Sequence, residues 1–89
     1  MGVYMVDRSL PGITMDQLGG AQQAAIRTSQ QFTSQGKSVR YIRSTFLPEE
    51  SRCMCLFEAP NSKLVEEVNK AAGLPFTRIV EAKDLTPRT

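Results

Sequence analysis

The side chains able to do chemistry in this chain are few, and most fall between positions 41 and 58. Tyr41 offers a phenol, Arg43 a guanidinium and Glu58 a carboxylate, while Cys53 and Cys55 add two thiols one residue apart. A carboxylate near a phenol and a guanidinium can move protons when water is partly excluded, because burial and neighbouring charge shift its proton affinity. Asp7 and Glu81 could join that set from the first and last strands. The same groups would serve equally as a cross-strand ion pair and hydrogen bond, or as a dimer contact. Histidine is absent (0 of 89 residues), which removes Ser-His-Asp and Cys-His nucleophile pairs, imidazole bases, and imidazole ligation of haem, zinc or nickel. Gly19-Gly20 is followed by no Lys-Ser or Lys-Thr in Walker spacing, so there is no phosphate-binding loop. No cofactor is expected.

On a strand, Cys53 and Cys55 would stand roughly 6.5 Å apart at Cα with parallel Cβ directions, so a mutual disulfide is not expected. They read as two small buried hydrophobes under a helix. They are the only thiols that a metal ion could use, in company with carboxylates, and no metal site is expected.

The elements that must place these groups follow from the pattern. Val39 to Leu47 is rich in β-branched and aromatic residues, Pro48-Glu49-Glu50-Ser51 breaks it, and Arg52 to Glu58 resumes it, which predicts a hairpin. Folding about that turn sets Phe46 opposite Cys53, Ser44 opposite Cys55 and Ile42 opposite Phe57. Opposed residues share a face, so Ile42, Ser44, Phe46, Cys53, Cys55 and Phe57 form a core face. Tyr41, Arg43, Thr45, Met54, Leu56 and Glu58 form the other.

Val3 to Arg8 reads as a first strand ended by Pro11-Gly12. Thr14 with Gln17 three residues on is a capping-box pattern, and Leu18, Ala21, Ala25 and Phe32 mark an apolar helical stripe, with Gln22, Gln23, Arg27, Gln30 and Gln31 on the solvated side. Gly19-Gly20 inside that helix predicts either close backbone packing on the sheet or a kink near a ligand. After Pro60, Asn61 or Ser62 can cap a second helix with Leu64, Val65, Val68, Ala71 and Ala72 on its apolar face. Gly73 and Pro75 end it, Thr77 to Leu85 is a last strand, and residues 86–89 form a loose tail. The chain thus reads as one α+β domain over residues 1–85, in the ferredoxin-like β-α-β-β-α-β order. A four-stranded antiparallel sheet would carry both helices on one face.

The uncovered face, with Tyr41, Arg43, Met54, Leu56, Glu58, Asp7 and Glu81, is then the expected ligand-binding surface or homodimer interface. The formal net charge of +2 is too small, and its basic residues too scattered, for a nucleic-acid or membrane surface. RNA-recognition modules share the topology, but where they stack bases on aromatic rings this chain offers Met54, Leu56 and Glu58. No apolar run spans a bilayer and no basic leader segment precedes one, so a cytoplasmic location is expected.

Three pieces recur together in a known family: Arg8-Ser-Leu-Pro-Gly12, Cys55-Leu-Phe-Glu-Ala-Pro60 and Ala72-Gly-Leu-Pro75. Nearly end to end, the chain resembles small ferredoxin-like bacterial proteins classed as a domain of unknown function, some of them called nickel-responsive or nickel-binding. The resemblance implies a stand-alone ferredoxin-like domain. In nickel-binding relatives the second helix and its exit supply imidazoles where this chain has Asn69 and Leu74, and neutral amide and aliphatic groups are poor nickel ligands. Cys55 matches a family position to which the resemblance assigns no role. Two functions are open: a ligand- or metal-binding module, which the lack of a catalytic set favours, and a cofactor-free dimeric α/β-barrel enzyme. The second would perform isomerase, lyase or oxygenase chemistry on a small apolar substrate in a pocket on the open face, with Tyr41, Arg43 and Glu58 as catalytic candidates.

Overall fold

The structure, a computed structural model, describes residues 1–87. Six elements follow in the expected order: β1 (Gly2–Ser9), α1 (Met15–Ser34), β2 (Arg40–Leu47), β3 (Arg52–Ala59), α2 (Ser62–Ala71) and β4 (Arg78–Ala82). The strands form one antiparallel sheet in the order β2-β3-β1-β4, and the two helices pack against each other on one face of it. This is the ferredoxin-like α+β fold.

Local chemistry explains the element ends. Thr14 caps α1 by accepting from the Gln17 amide, while the Gln17 side chain accepts from the Thr14 amide in return. Asn61 caps α2 through the Leu64 amide. At the exit of α2, Gly73 takes a positive φ of 71°, its amide bonds the Lys70 carbonyl, and the Leu74 amide reaches back to Asn69. That pairing satisfies two carbonyls the helix leaves free, at a backbone angle where a Cβ would be strained.

The core consists of Val6 from β1, Ala25 from α1, Val39, then Cys53, Cys55, Phe57 and Ala59 from β3, and Leu64, Val65 and Val68 from α2. Strand β3 alternates perfectly between buried and half-buried positions, as a central strand with one covered face must. Four expectations need correction. Ile42 does not oppose Phe57 and is not in the core: Tyr41 pairs with Phe57, Arg43 with Leu56, and Ile42 is the extra residue of a β-bulge between them. Gly19 and Gly20 do not pack closely, since a Cβ at either would meet nothing within 4 Å. Ala71, expected on the apolar face of α2, is exposed, and the fully buried Asn69 closes that face instead. The last strand stops at Ala82, three residues before the expected Leu85. Of the tail expected over 86–89, Thr86 and Pro87 carry no regular structure; positions 88 and 89 lie outside the described residues.

Phe57, with no exposed surface, is clasped between the helices and Tyr41, whose ring meets it edge-on at 5.5 Å. Truncating it to alanine should cost about 3–5 kcal/mol, a large share of the stability of so small a domain. Urea denaturation of Phe57→Ala measures this, and a near-neutral result would contradict the packing.

Candidate functional site

On the uncovered face, β1 contributes Met5 and Asp7, β3 contributes Arg52, Met54, Leu56 and Glu58, and the two edge strands add Arg43, Thr45, Arg78 and Val80. The structure does not assemble the acid–base set expected there. Glu58 pairs with Arg40 at 3.4 Å, on the surface. Arg43 pairs with Asp84, which follows β4 at the far edge. Neighbouring strands lie about 4.8 Å apart, so an ion pair from β2 to a residue beyond β4 requires the segment after Ala82 to turn back across the open face. Asp7 is almost wholly buried, yet lies on this face: Arg52 bonds its carboxylate at 2.9 Å and Arg78 at 3.3 Å, and both guanidiniums cover it. Glu81 pairs with Tyr4 in the ladder and so lies on the other side of the sheet from Asp7. Met54 and Leu56 are on the open face as expected, each half-buried.

Tyr41 is on the wrong face for that set, and the bulge is the reason. One extra residue before Arg43 inverts the side-chain alternation upstream of it, so Tyr41 turns under α1 with Phe57. There its hydroxyl contacts Ser44 Oγ at 2.5 Å and accepts a hydrogen bond from Gln22 Nε2 at 3.0 Å. Ser44 Oγ in turn donates to Cys55 Sγ at 2.9 Å. A serine hydroxyl has one proton, and it is committed to sulfur, so Tyr41 must be the donor to Ser44. The result is a one-way chain of donors, from Gln22 through Tyr41 and Ser44 to Cys55.

This chain floors a cavity of about 210 Å³ between α1 and the sheet. Leu10, Leu18, Phe46 and Leu74 supply apolar walls, Gly19 borders it where a Cβ would meet nothing within 4 Å, and Arg8, Tyr41, Ser44, Cys53 and Cys55 supply the polar part. Cys53 and Cys55 are unbridged, with their sulfurs 3.7 Å apart. Arg8 is 2% exposed and donates to the Asn69 Oδ1 at 2.9 Å and the Pro75 carbonyl at 3.1 Å. Among the described residues no carboxylate lies within ion-pairing distance of it. The hydrogen bond from the Cys53 thiol, the charge of Arg8 and the Ser44 hydroxyl outweigh burial and bring the Cys55 thiol down to about 5. Its bond to Cys55 and its burial push Cys53 the other way, so Cys53 stays protonated.

Arg8, Ser44 and Gln22 were not evident as site residues in the sequence. Arg8 did carry one signal: it alternates with Val6 on the strand face that the helices cover, where an arginine is out of place.

The family described as nickel responsive protein SCO4226-like matches residues 4–82. The crystal structure of SCO4226 from Streptomyces coelicolor A3(2) is similar in fold, with a TM-score of 0.79 and 26% sequence identity. The match covers 94% of this chain and 99% of that one. No curated protein matches. Among the described residues no helix is long and apolar enough to cross a membrane.

On the open face, Arg52 and then Arg78 hold the Asp7 carboxyl below its usual range, against the opposing effect of burial. A carboxylate depressed by folding stabilises the native state above its unfolded pKa, and that contribution disappears as the pH falls through the folded value. Asp7→Asn should therefore lose most stability at neutral pH, with the gap to the unmutated protein narrowing below about pH 3.9. Urea midpoints measured from pH 7 to pH 2 check this; a gap independent of pH would refute the pairing.

Proposed function

The chain belongs to the SCO4226-like family of nickel responsive proteins, and on that premise we propose that it is a ligand-binding module whose site is the cavity under α1. Its ligand is a compact organic molecule with an apolar body and one hydrogen-bonding group. The cavity itself carries this reading: its walls are aliphatic and aromatic, while its polar groups converge on one floor. At about 210 Å³ it is smaller than the roughly 300–1,000 Å³ that encloses drug-sized ligands, which limits the occupant to a small molecule.

A nickel ion does not fit the residues present. Asn69, at a position where the resemblance would place an imidazole, is fully buried with both ends of its amide in use: Oδ1 accepts from Arg8 and Nδ2 donates to the Val65 carbonyl at 2.8 Å. Leu74, at the other such position, is an apolar wall of the cavity. Among the described residues no three His, Cys, Asp or Glu side chains are grouped to hold an ion.

The uncovered face supports a second proposal, that two copies of the chain meet there as a homodimer. Met5, Met54, Leu56 and Val80 form a half-buried apolar centre, and Leu85, on the segment that turns back over this face, is 88% exposed. Burial of a few hundred Å² of such surface contributes several kcal/mol before association entropy is subtracted, at about 25 cal/mol per Å². The barrel-enzyme alternative loses support here, because Tyr41 lies under α1 while Arg43 and Glu58 lie on the open face.

Two measurements test these readings. Cyclohexanone, as a small apolar ketone, should perturb the amide NMR signals of Leu18, Ser44 and Cys55, and Gly19→Leu should abolish the effect by narrowing the cavity; no perturbation would refute the cavity as a site. Leu56→Glu should convert a dimer into a folded monomer by light scattering, and a monomeric unmutated protein at high concentration would refute the interface.

A further inference from the structure

The buried guanidinium of Arg8 needs an anion. A guanidinium keeps its charge in a protein, and removing a charge from water without a counter-charge is strongly unfavourable. Its two hydrogen-bond partners, Asn69 and Pro75, are both neutral oxygens. The acidic groups that share its cavity are the Cys53 and Cys55 thiols and the Tyr41 phenol. Arg8 stands directly opposite Cys53 in the β1–β3 ladder, so the thiol pair is its neighbour in the sheet.

The hydrogen bonds select Cys55 from that pair. It accepts from Ser44, which accepts from Tyr41, which accepts from Gln22, so every proton in the series points toward this sulfur. The Cys53 thiol at 3.7 Å can add a further donor. Sulfur in such a position is an anion solvated by fixed donors rather than a neutral thiol, and a thiolate is the nucleophilic form of cysteine.

We propose that Cys55 is a nucleophilic thiolate that captures small α,β-unsaturated carbonyl compounds entering the cavity beside Gly19, an inference that rests on the ligand-binding reading of the same cavity. The class follows from the surroundings. A thiolate is a soft nucleophile suited to a conjugated carbon, and the apolar walls suit a short hydrocarbon body. Arg8, which has N–H groups beyond the two committed to Asn69 and Pro75, can stabilise a carbonyl oxygen as it gains charge. In the reaction, a sulfur lone pair forms a bond to the β-carbon. The electron pair of the C=C bond moves to give the enolate, and one proton from water at the cavity mouth completes the saturated ketone. The thioether retains all atoms of the ligand, and no oxidant or reductant is consumed. Cys53 remains a thiol throughout and acts as a positioning residue through its bond to Cys55.

Methyl vinyl ketone, added in equimolar amount and followed by intact mass and peptide mapping, tests this. A single adduct should form, on Cys55. Because this thiol is lowered to about 5, the rate should change less than twofold between pH 6 and pH 8. A thiol of ordinary acidity would slow roughly 75-fold over that interval. Cys53→Ala should still be labelled on Cys55. Gly19→Leu should slow labelling more than tenfold in the folded protein while leaving the urea-unfolded protein normally reactive, which separates a blocked entrance from a lost nucleophile. Equal labelling of Cys53 and Cys55, the pH dependence of an ordinary thiol, or equally fast reaction with a bulky fluorescein maleimide would overturn the proposal. If cyclohexanone binds but no adduct forms, covalent capture fails and the ligand-binding reading stands; if neither occurs, both fail.

Discussion

The buried charge of Arg8 is the constraint around which the helix-covered side of this protein is arranged. The side chain rises from β1, one of the two central strands, to a cavity whose apolar walls are Leu10, Leu18, Phe46 and Leu74. Two devices make it tolerable. Asn69, a polar residue on the buried stripe of α2, turns its oxygen to the guanidinium, and the exit of the same helix supplies the Pro75 carbonyl. The Schellman turn at Gly73 is what brings that carbonyl within reach, so helix termination and charge burial are one problem with one solution. The remaining demand for negative charge falls on the thiols of β3, and the hydrogen bond between them, more than the charge of Arg8, sets the two apart: it raises Cys53 and lowers Cys55.

The sheet separates its arginines by function. Among the described residues, each guanidinium on the open face has a carboxylate: Arg40 with Glu58, Arg43 with Asp84, and Arg52 and Arg78 with the shared Asp7. Three of these four pairs involve arginines more than half exposed, where screening by water leaves each worth little individually. Their effect is to occupy Asp7, Glu58 and Asp84, so that none of these three carboxylates is left free to act as a base. Among the described residues, the buried guanidinium of Arg8 on the covered face has no carboxylate and faces sulfur instead.

Much of the fold was legible because it depends on local rules. The capping box at Thr14, the cap at Asn61, the glycine exit at Gly73 and the period-two pattern of Arg52 to Ala59 each rest on residues within a few positions of one another. The site was less legible for a reason equally specific. Pairing of Phe46 with Cys53 and Ser44 with Cys55 follows from the turn, but nothing in Tyr41-Ile42-Arg43 announces an extra residue. Alternation propagates from a known point only while the strand stays regular, so a single bulge put Tyr41 on the wrong face and Ile42 in the wrong role. Gly19-Gly20 failed differently: close packing and a kink near a ligand are both consistent with paired glycines, and the open space where their Cβ atoms would stand excludes the first.

That bulge is best understood as the step that makes a site out of a hairpin. With regular alternation, Ile42 would stand over Phe57, the core would gain an aliphatic side chain, and Ser44 would have no hydroxyl above it to fix its proton. A serine that gives its proton to a thiol in an apolar layer would then be left with an unsatisfied acceptor oxygen, a costly arrangement. Shifting Tyr41 inward replaces the aliphatic chain with a ring of larger area, which still covers Phe57 edge-on, and delivers a hydroxyl to Ser44 at the same time. Packing and polarity are satisfied together by one side chain, and that is possible only because tyrosine is apolar along its ring and polar at its tip. The inserted residue is therefore tied to the polarity of the cavity floor: a serine at position 44 and a cysteine at position 55 require a donor from above, and the bulge is how β2 supplies it.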